Sequence, residues 1–251
     1  MTVDQKKPDL YLSMPHACSY LPGRMSTILF VDPQSPIDGA LYSNFVRHGF
    51  RRSGDLVYRP YCRDCNACVP VRVPVKDFQP NRGQRRIWQR NQDVIVTARP
   101  PVYDPEHFAL YRRYQAARHQ GSSMDDPDPE RYLNFFFSRQ VETVFYELRL
   151  APDGGDGRLL GVAVVDVLRD GLSAMYTFFE PDEPARGLGV FTILWQIIEA
   201  QRLGLSWLYL GYWIEECPKM AYKINYQPLE ALANGKWSRI APFKESLKEV
   251  P

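Results

Sequence analysis

The pattern of hydrophobic and polar positions in the C-terminal half of the chain predicts three consecutive strands. Over residues 142–150 apolar side chains occupy every second position, which is typical of a half-buried strand. Apolar runs over residues 159–168 and 172–179 flank the turn signal Arg169-Asp170-Gly171 and therefore predict a β-hairpin. The three strands together predict an antiparallel meander.

Helical spacing follows the meander. Residues 184–189 are predicted to open a helix that continues to about Leu203, with Gly204 as its C-terminal cap. A strand over residues 206–212 and a short helix over residues 218–223 are predicted next. The order strand, strand, strand, helix, strand, helix is that of the GNAT acyltransferase core, whose sheet splays beside a helix N-terminus to admit an acyl donor.

Upstream of the meander, proline and arginine interrupt the pattern. Two helices are predicted, one from Pro105 and one from Pro129, because proline is favoured at the first helical position. Arg99-Pro100-Pro101 favours extended backbone and marks a predicted boundary. We therefore predict an α+β fold with a cysteine-containing loop-and-strand module over residues 1–99 and a GNAT-like mixed sheet with flanking helices over residues 100–251.

The distribution of charge adds a candidate binding surface. The 45% hydrophobic and 24% charged residues are ordinary for a globular protein and argue against a disordered chain or a coiled coil. The formal net charge is only +2, yet residues 47–90 hold eleven Lys and Arg against three Asp. Aromatic side chains are interleaved with these cations, which is typical of a nucleic-acid footprint. The alternative is a solvated basic face.

Three of the five cysteines lie in this basic segment, at Cys62, Cys65 and Cys68. Because C-x-x-C turns point their sulfurs the same way, this spacing favours a zinc ion or an iron–sulfur cluster, with Cys18 as the candidate fourth ligand. The alternative is a group of packed or exposed thiols without a metal. Cys217 stands apart in the sequence and is predicted to be structural.

No segment of the sequence predicts a membrane span or an export signal. The apolar stretch over residues 190–198 is far shorter than the roughly 20 residues that a bilayer requires. Residues 1–10 lack the apolar region of a secretory signal. We therefore expect a cytoplasmic protein that does not enter a membrane. The sequence leaves the oligomeric state open, and a monomer is expected.

Two blocks of the sequence resemble the aminoacyl-tRNA–protein transferases of the N-degron pathway, the arginyl-tRNA–protein transferase family. The first is the Tyr-Arg-Pro-x-Cys-x-x-Cys-x-x-Cys-x-Pro-x-Arg-Val run over residues 58–73, together with residues 18–22. The second is residues 209–230, together with residues 176–181. The resemblance extends over residues 12–237. The compact length and the third cysteine resemble the bacterial branch, whose members transfer leucine, more than the larger eukaryotic arginyltransferases.

This resemblance implies an aminoacyltransferase that takes leucine from Leu-tRNA and joins it to the α-amine of a protein with N-terminal Asp or Glu, marking that protein for degradation. The aminoacyl ester is already activated, so no ATP site is required, and none is visible. The acceptor amine, with a reference pKa of about 7.7–8.0, keeps a usable neutral fraction near neutrality.

Three alternatives to this function stay open. They are arginyl transfer from Arg-tRNA, a GNAT acetyltransferase, and a non-catalytic RNA-binding module. The acetyl-CoA pattern is a weak match, because Pro184 stands where that pattern requires Gln or Arg.

The resemblance also suggests roles for individual residues. Arg59 and Arg72 are predicted to bind the acceptor's carboxylate, and Arg82, Arg85 and Arg86 are predicted to meet tRNA phosphates. The full set of substrate-binding candidates is Tyr58, Arg59, Arg72, Arg82, Arg85, Arg86 and Lys223. The catalytic candidates are Tyr212, Lys219 and Tyr222 at the donor site and, as bases, Asp166 and Glu180. Family members are reported to hold an iron–sulfur cluster, which is expected here on Cys18, Cys62, Cys65 and Cys68, with zinc as the alternative.

Overall fold

An eight-stranded mixed sheet forms the centre of the protein in a computed structural model, which describes residues 8–118, 128–151 and 157–241. All neighbouring strands are antiparallel except β11 and β12, which are parallel. This mixed sheet and its helices confirm the predicted α+β class. In spatial order the strands are β14 (Lys236–Ile240), β13 (Leu229–Ala233), β7 (Val69–Pro74), β12 (Trp207–Trp213), β11 (Gly171–Phe179), β10 (Leu159–Val167), β9 (Thr143–Leu150) and β8 (Val94–Arg99).

The N-terminal segment forms a smaller sheet beside the large one. Its spatial order is β1 (Leu10–Leu12), β4 (Ile28–Val31), β6 (Leu56–Pro60) and β5 (Arg51–Ser53), and a separate hairpin pairs β2 (His16–Ala17) with β3 (Met25–Ser26). The chain leaves β6, passes through the cysteine loop over residues 61–68, and enters β7 of the large sheet. The cysteine loop therefore connects the two sheets directly.

The described residues contain six α-helices, and their starts follow local sequence signals. In α2 Asn81 and Gln84 form a reciprocal capping box, and in α4 the Asp128 side chain accepts a hydrogen bond from the N–H of Glu130. The predicted helix starts at Pro105 and Pro129 are confirmed. The helices are α1 (Gly39–Arg47), α2 (Arg82–Arg90), α3 (Pro105–Arg118), α4 (Pro129–Phe136), α5 (Leu188–Arg202) and α6 (Pro218–Ala221).

Two predicted helix boundaries are wrong. The helix expected from Pro184 begins only at Leu188, because Pro184–Arg186 forms a separate 3₁₀ turn and Gly187 adopts the left-handed φ of 64° between the two elements. The last short helix ends at Ala221 and continues as a 3₁₀ turn over Tyr222–Asn225. The predicted order of strands and helices in the C-terminal half is otherwise confirmed.

Helices cover both faces of the large sheet. On one face, Ile193 and Ile197 of α5 join a core with Ala163 and Val165 of β10. On the other face, aromatic side chains of α3 and α4 pack against Val162 and neighbouring residues. Because successive residues of a strand point to opposite faces, the continuous apolar run of β10 contributes to both cores.

The first 99 residues contribute two strands, β7 and β8, to the large sheet. Strands from both sides of the predicted boundary at 99/100 therefore belong to one sheet. A buried ion pair between Arg52 and Asp166 further connects the small sheet to β10. No helix among the described residues is long and apolar enough to cross a membrane. Of residues 1–10, in which no export signal is predicted, residues 1–7 lie outside the described part of the chain.

Candidate functional site

The four predicted metal ligands line one cavity of about 1080 Å³ between the small sheet and the end of β12. Cys18 follows β2, whereas Cys62, Cys65 and Cys68 lie in the loop between β6 and β7. All four are partly buried. The fold thus brings Cys18 to the C-x-x-C-x-x-C loop from a position 44 residues earlier in the chain.

The thiols influence one another. Burial, and then the neighbouring Cys18, Cys62 and Cys65, raise the pKa of Cys68 to about 12. The Arg24 guanidinium lies 3.5 Å from the Cys65 sulfur and also pairs with Glu216. Binding of a cation would favour the thiolate form of Cys68, which this environment otherwise disfavours.

The spacing of the sulfurs bears on the identity of a bound metal. Zinc–sulfur distances of about 2.3 Å require the sulfurs of a tetrahedral site to lie roughly 3.8 Å apart. Among the described residues, only Asp104, His107 and Glu147 place three metal-type ligand atoms all within 4.8 Å of one another. No three of the four cysteine sulfurs lie within 4.8 Å of one another, so the thiols are not arranged as a closed tetrahedral zinc site.

Cys217, predicted to be structural, is buried in the same apolar cluster as Cys18, Cys65 and Cys68. It follows β12 and precedes α6, so the C-terminal half also contacts the cysteine loop. Sequence spacing gives no indication of this proximity.

The large cavity is rich in hydroxyls and apolar side chains and contains no carboxylate among its lining residues. Tyr20, Tyr58 and Tyr212 contribute phenols, and Leu12, Ile28, Phe30 and Leu56 contribute apolar surface. The predicted site residues Tyr58 and Tyr212 thus lie in the same cavity wall as the cysteines. Burial raises the pKa of both phenols, so they stay protonated and can donate hydrogen bonds.

Beyond this cavity, β11 and β12 separate. They pair only from Gly171 and Trp207 to Ser173 and Tyr209, and the remainder of each strand, residues 174–179 and 210–213, borders an opening that we call the β11–β12 gap. Each strand has a bulge at the start of the gap, and Gly211 there adopts a φ of 73°. This is the opening that a GNAT-like sheet is predicted to form.

The buried Lys223 and the partly buried Arg51 place two cations close to the gap. The Lys223 amine is buried and donates to the carbonyl oxygen of Tyr212 at 2.5 Å. Burial, and then the nearby positive charge of Arg51, lower the pKa of Lys223 to about 7. The predicted donor-site residue Tyr222 is adjacent and is 42% exposed. Lys219 lies on the surface of α6, 3.4 Å from the carbonyl oxygen of Arg118.

The two arginines predicted to bind the acceptor's carboxylate have different surroundings. Arg72 pairs with Glu230 at 2.9 Å and is stacked between Trp207 and Trp237, so its charge is already compensated within the protein. Arg59 donates to the carbonyl oxygen of His48 at 3.1 Å and lies over the Phe50 ring. Neither side chain is among the residues that line the large cavity.

Both predicted bases are engaged in ion pairs. Asp166 is fully buried and accepts hydrogen bonds from Arg52, Tyr42 and Thr143. Glu180 is buried at the end of β11 and pairs with Arg113 at 2.9 Å, although its Oε1 atom has no hydrogen-bond partner. Asp166 thus connects the large sheet to the small one through Arg52, and Glu180 keeps one carboxylate oxygen without a hydrogen-bond partner.

The predicted tRNA contacts share one helix. Arg82, Arg85 and Arg86 are all exposed on α2, with Arg90 one turn further along. The opposite side of α2 packs Ile87 and Trp88 against α5. One face of α2 is therefore a cationic surface, held in place by its apolar face.

The sequence is similar to proteins of one family over most of its length. Family models described as "Arginine-tRNA-protein transferase, N terminus" and "Arginine-tRNA-protein transferase, C terminus" match residues 16–86 and 106–233. "Aspartate/glutamate leucyltransferase" of Pseudomonas putida (strain W619) is 52% identical over 227 residues, covering 90% of this chain and 94% of the relative. That of Nitrosococcus oceani is 52% identical over 230 residues, covering 92% and 95%.

Among solved structures the similarities are weaker. L-PGS from Bacillus licheniformis matches with a TM-score of 0.45 and 13% identity, covering 59% of this chain and 47% of that chain. FemX matches with a TM-score of 0.44 and 9% identity, covering 80% and 79%.

Proposed function

Because the chain belongs to the arginine-tRNA–protein transferase family, we propose that it transfers leucine from leucyl-tRNA to the α-amine of proteins whose first residue is Asp or Glu. The product, a protein with an N-terminal leucine, would enter the N-degron degradation pathway.

The observation that carries this proposal is the composition of the large cavity. Its walls combine apolar side chains with phenols, the four cysteines and the cations Arg24 and Arg63, and no Asp or Glu is among the residues that line it. A leucyl side chain can be buried against such a surface, whereas an arginyl side chain would lose its hydration without meeting a carboxylate. The cavity therefore favours leucine over arginine as the transferred group.

The reaction itself requires little beyond positioning. The neutral amine of the acceptor attacks the ester carbonyl carbon, which forms the C–N bond and a tetrahedral oxyanion. The attached nitrogen then loses a proton, the ester C–O bond breaks, and the ribose oxygen takes up a proton and leaves as the tRNA hydroxyl. Holding amine and ester together lowers the entropic barrier, and fixed hydrogen-bond donors stabilise the oxyanion. Tyr58 and Lys223 supply donors close to the gap, and the exposed arginines of α2 suit tRNA phosphates.

Transfer with defined substrates tests this function. The purified protein is incubated with Leu-tRNA or Arg-tRNA and with peptides that differ only in a first residue of Asp, Glu or Ala, and products are identified by mass spectrometry. We expect leucine on the Asp and Glu peptides alone, and none on an N-acetylated Asp peptide. Transfer from Arg-tRNA only, or acetylation from acetyl-CoA, would contradict the proposal.

We also infer that Cys18, Cys62, Cys65 and Cys68 hold an iron–sulfur cluster. Four thiols in one cavity suit this group, and no three of their sulfurs lie within 4.8 Å of one another, as the ligands of one zinc ion would. A cluster at this position would cross-link the loop after β2 to the loop before β7. Iron and acid-labile sulfide are measured after anaerobic purification. We expect Cys68→Ser to lose both and Cys217→Ser to keep them, and stoichiometric zinc without sulfide would exclude the cluster.

A further inference from the structure

Arg51 connects the small sheet to the β11–β12 gap. It is the first residue of β5, yet its Nη2 atom donates to the carbonyl oxygens of Ala174 and Met175, at 3.0 and 2.8 Å, on β11 of the large sheet. These carbonyls follow Ser173, the last residue of β11 that pairs with β12. The guanidinium therefore lies where the two strands separate.

Arg51 has no anionic partner in the described part of the protein. Its Nη1 atom is buried and makes no hydrogen bond, and no described carboxylate lies within ion-pair distance. By contrast, the buried or partly buried Arg52, Arg72 and Arg149 each contact an Asp or Glu. The part of the guanidinium that carries Nη1 is removed from water without a counter-ion, which is unfavourable and indicates that an anion completes this site.

The surroundings of Arg51 favour an anionic guest. Its cross-strand neighbour Tyr58 has a phenol that can donate a hydrogen bond, whereas the hydroxyl of the nearby Tyr212 already donates to the carbonyl oxygen of Gly49 at 2.8 Å. Lys223 supplies a buried amine whose pKa is lowered by burial and then by the charge of Arg51. Tyr212 also lines the large cavity, so the region of Arg51 adjoins the proposed site of transfer.

Gly211 keeps the space beside the guanidinium open. A side chain at this position would collide with Nη1 of Arg51, and the left-handed φ of 73° independently favours glycine. Strand β12 therefore has no side chain at the point where the free N–H groups of Arg51 lie. Close approach of another group is a common reason for glycine inside a strand.

We propose that Arg51 binds the side-chain carboxylate of the acceptor's N-terminal Asp or Glu and thereby sets the requirement for an acidic first residue. This assignment rests on the proposed function. A small planar carboxylate suits a partly buried guanidinium with one free, buried nitrogen better than a phosphodiester flanked by two sugars, for which the exposed arginines of α2 are available. It also remains bound through the reaction, unlike a transient oxyanion.

Discrimination between matched acceptors tests Arg51. Leucine transfer by wild type, Arg51→Gln and Arg51→Lys is measured with peptides beginning in Asp, Asn, Glu or Gln, which differ in pairs only by the charge. We expect Arg51→Gln to lower kcat/KM for Asp about 100-fold and to bring the Asp-to-Asn ratio close to one, with partial recovery in Arg51→Lys. Arg47→Gln, which removes an exposed arginine of the same segment, should preserve the ratio.

Other roles of Arg51 predict different results. An equal loss for all four peptides, with an unchanged Asp-to-Asn ratio, would assign Arg51 to the oxyanion or to the fold and overturn the proposal. Weaker tRNA binding with a reduced salt dependence would assign it to phosphate and overturn it equally.

Binding of fluorescent Asp- and Asn-initiated peptides to the protein without tRNA separates this proposal from the proposed function. If Arg51 recognises the carboxylate, wild type prefers the Asp peptide and Arg51→Gln does not, even if no leucine is transferred. If wild type and Arg51→Gln prefer the Asp peptide over the Asn peptide to the same degree, the assignment of Arg51 is overturned, while leucyl transfer as the function is unaffected. The thermal melts of the variants identify any loss that comes from unfolding.

Discussion

Asp166 connects the small sheet to the large one, and replacing it with Asn measures how much that connection stabilises the fold. Its carboxylate lies 2.6 Å from the Arg52 Nη2 atom and accepts further hydrogen bonds from Tyr42 and Thr143, with both charged side chains essentially inaccessible to water. Asp166→Asn keeps the size and most hydrogen bonds but leaves the Arg52 charge buried and uncompensated.

The expected cost of Asp166→Asn is about 3–5 kcal/mol, the range for breaking a buried pair by removing one partner. Domains have free energies of unfolding of about 5–15 kcal/mol, so this is a large fraction of the total. For a chain of this length it corresponds to a decrease in Tm of about 6–20 °C. The double variant Arg52→Met/Asp166→Asn removes the buried charge and should recover part of the loss.

Thermal and urea unfolding of the single and double variants give these values, and leucine transfer is measured on the same samples below their Tm. Asp77→Asn is the matched control, since Asp77 forms an exposed pair with Arg239 and should contribute about 0–1 kcal/mol. If Asp166→Asn unfolds at the wild-type temperature but no longer transfers leucine, the structural reasoning fails and Asp166 belongs to the chemistry as a base.

Three further predictions concern other parts of the molecule. Burial tends to raise the pKa of Glu147, but hydrogen bonds from Arg149 and His107 outweigh burial and lower this pKa to about 2. The Glu147 carboxylate therefore stabilises the fold above about pH 4.5, and this contribution is lost as the pH falls toward 2. Glu147→Gln should remove that part of the acid sensitivity, which is measured as Tm against pH. Gly204→Ala should lower the free energy of unfolding by about 1 kcal/mol, because residue 204 has a left-handed backbone conformation. Gly211→Ala should lower it further, because the added Cβ would also meet Arg51, and urea unfolding measures both values. Replacing Arg82, Arg85 and Arg86 with Gln should reduce the slope of log K for tRNA binding against log salt by about 2 to 3, whereas an unchanged slope would place tRNA elsewhere.

Local periodicity was sufficient to predict the helices and the meander of the C-terminal half. Alternation over β9, the continuous apolar run of β10 and the proline starts of α3 and α4 each depend on neighbours within a few residues. The position of β7 between β12 and β13 could not be predicted in this way, because its partners lie far along the chain and its own sequence shows only short apolar alternation.

The candidate site was predictable only in part. The C-x-x-C spacing identified the cysteine loop, and the cavity contains the predicted Tyr58 and Tyr212. Arg51 was counted only as part of a basic segment, since nothing in the sequence distinguishes an exposed arginine from one that reaches into a gap between strands. Gly211 did carry a signal, because a glycine inside an apolar strand often marks a bulge or a close approach.

The insertion of β7 between β12 and β13 has a consequence for synthesis in the cell. Pro74 of β7 pairs with Trp207 of β12, so roughly 130 further residues must be translated before this neighbour exists, which takes about 7 to 26 s at common elongation rates. During that interval the nascent chain presents an unpaired strand directly after three thiols. The cysteine loop is therefore accessible to chaperones, and to assembly of the proposed cluster, until β12 leaves the ribosome.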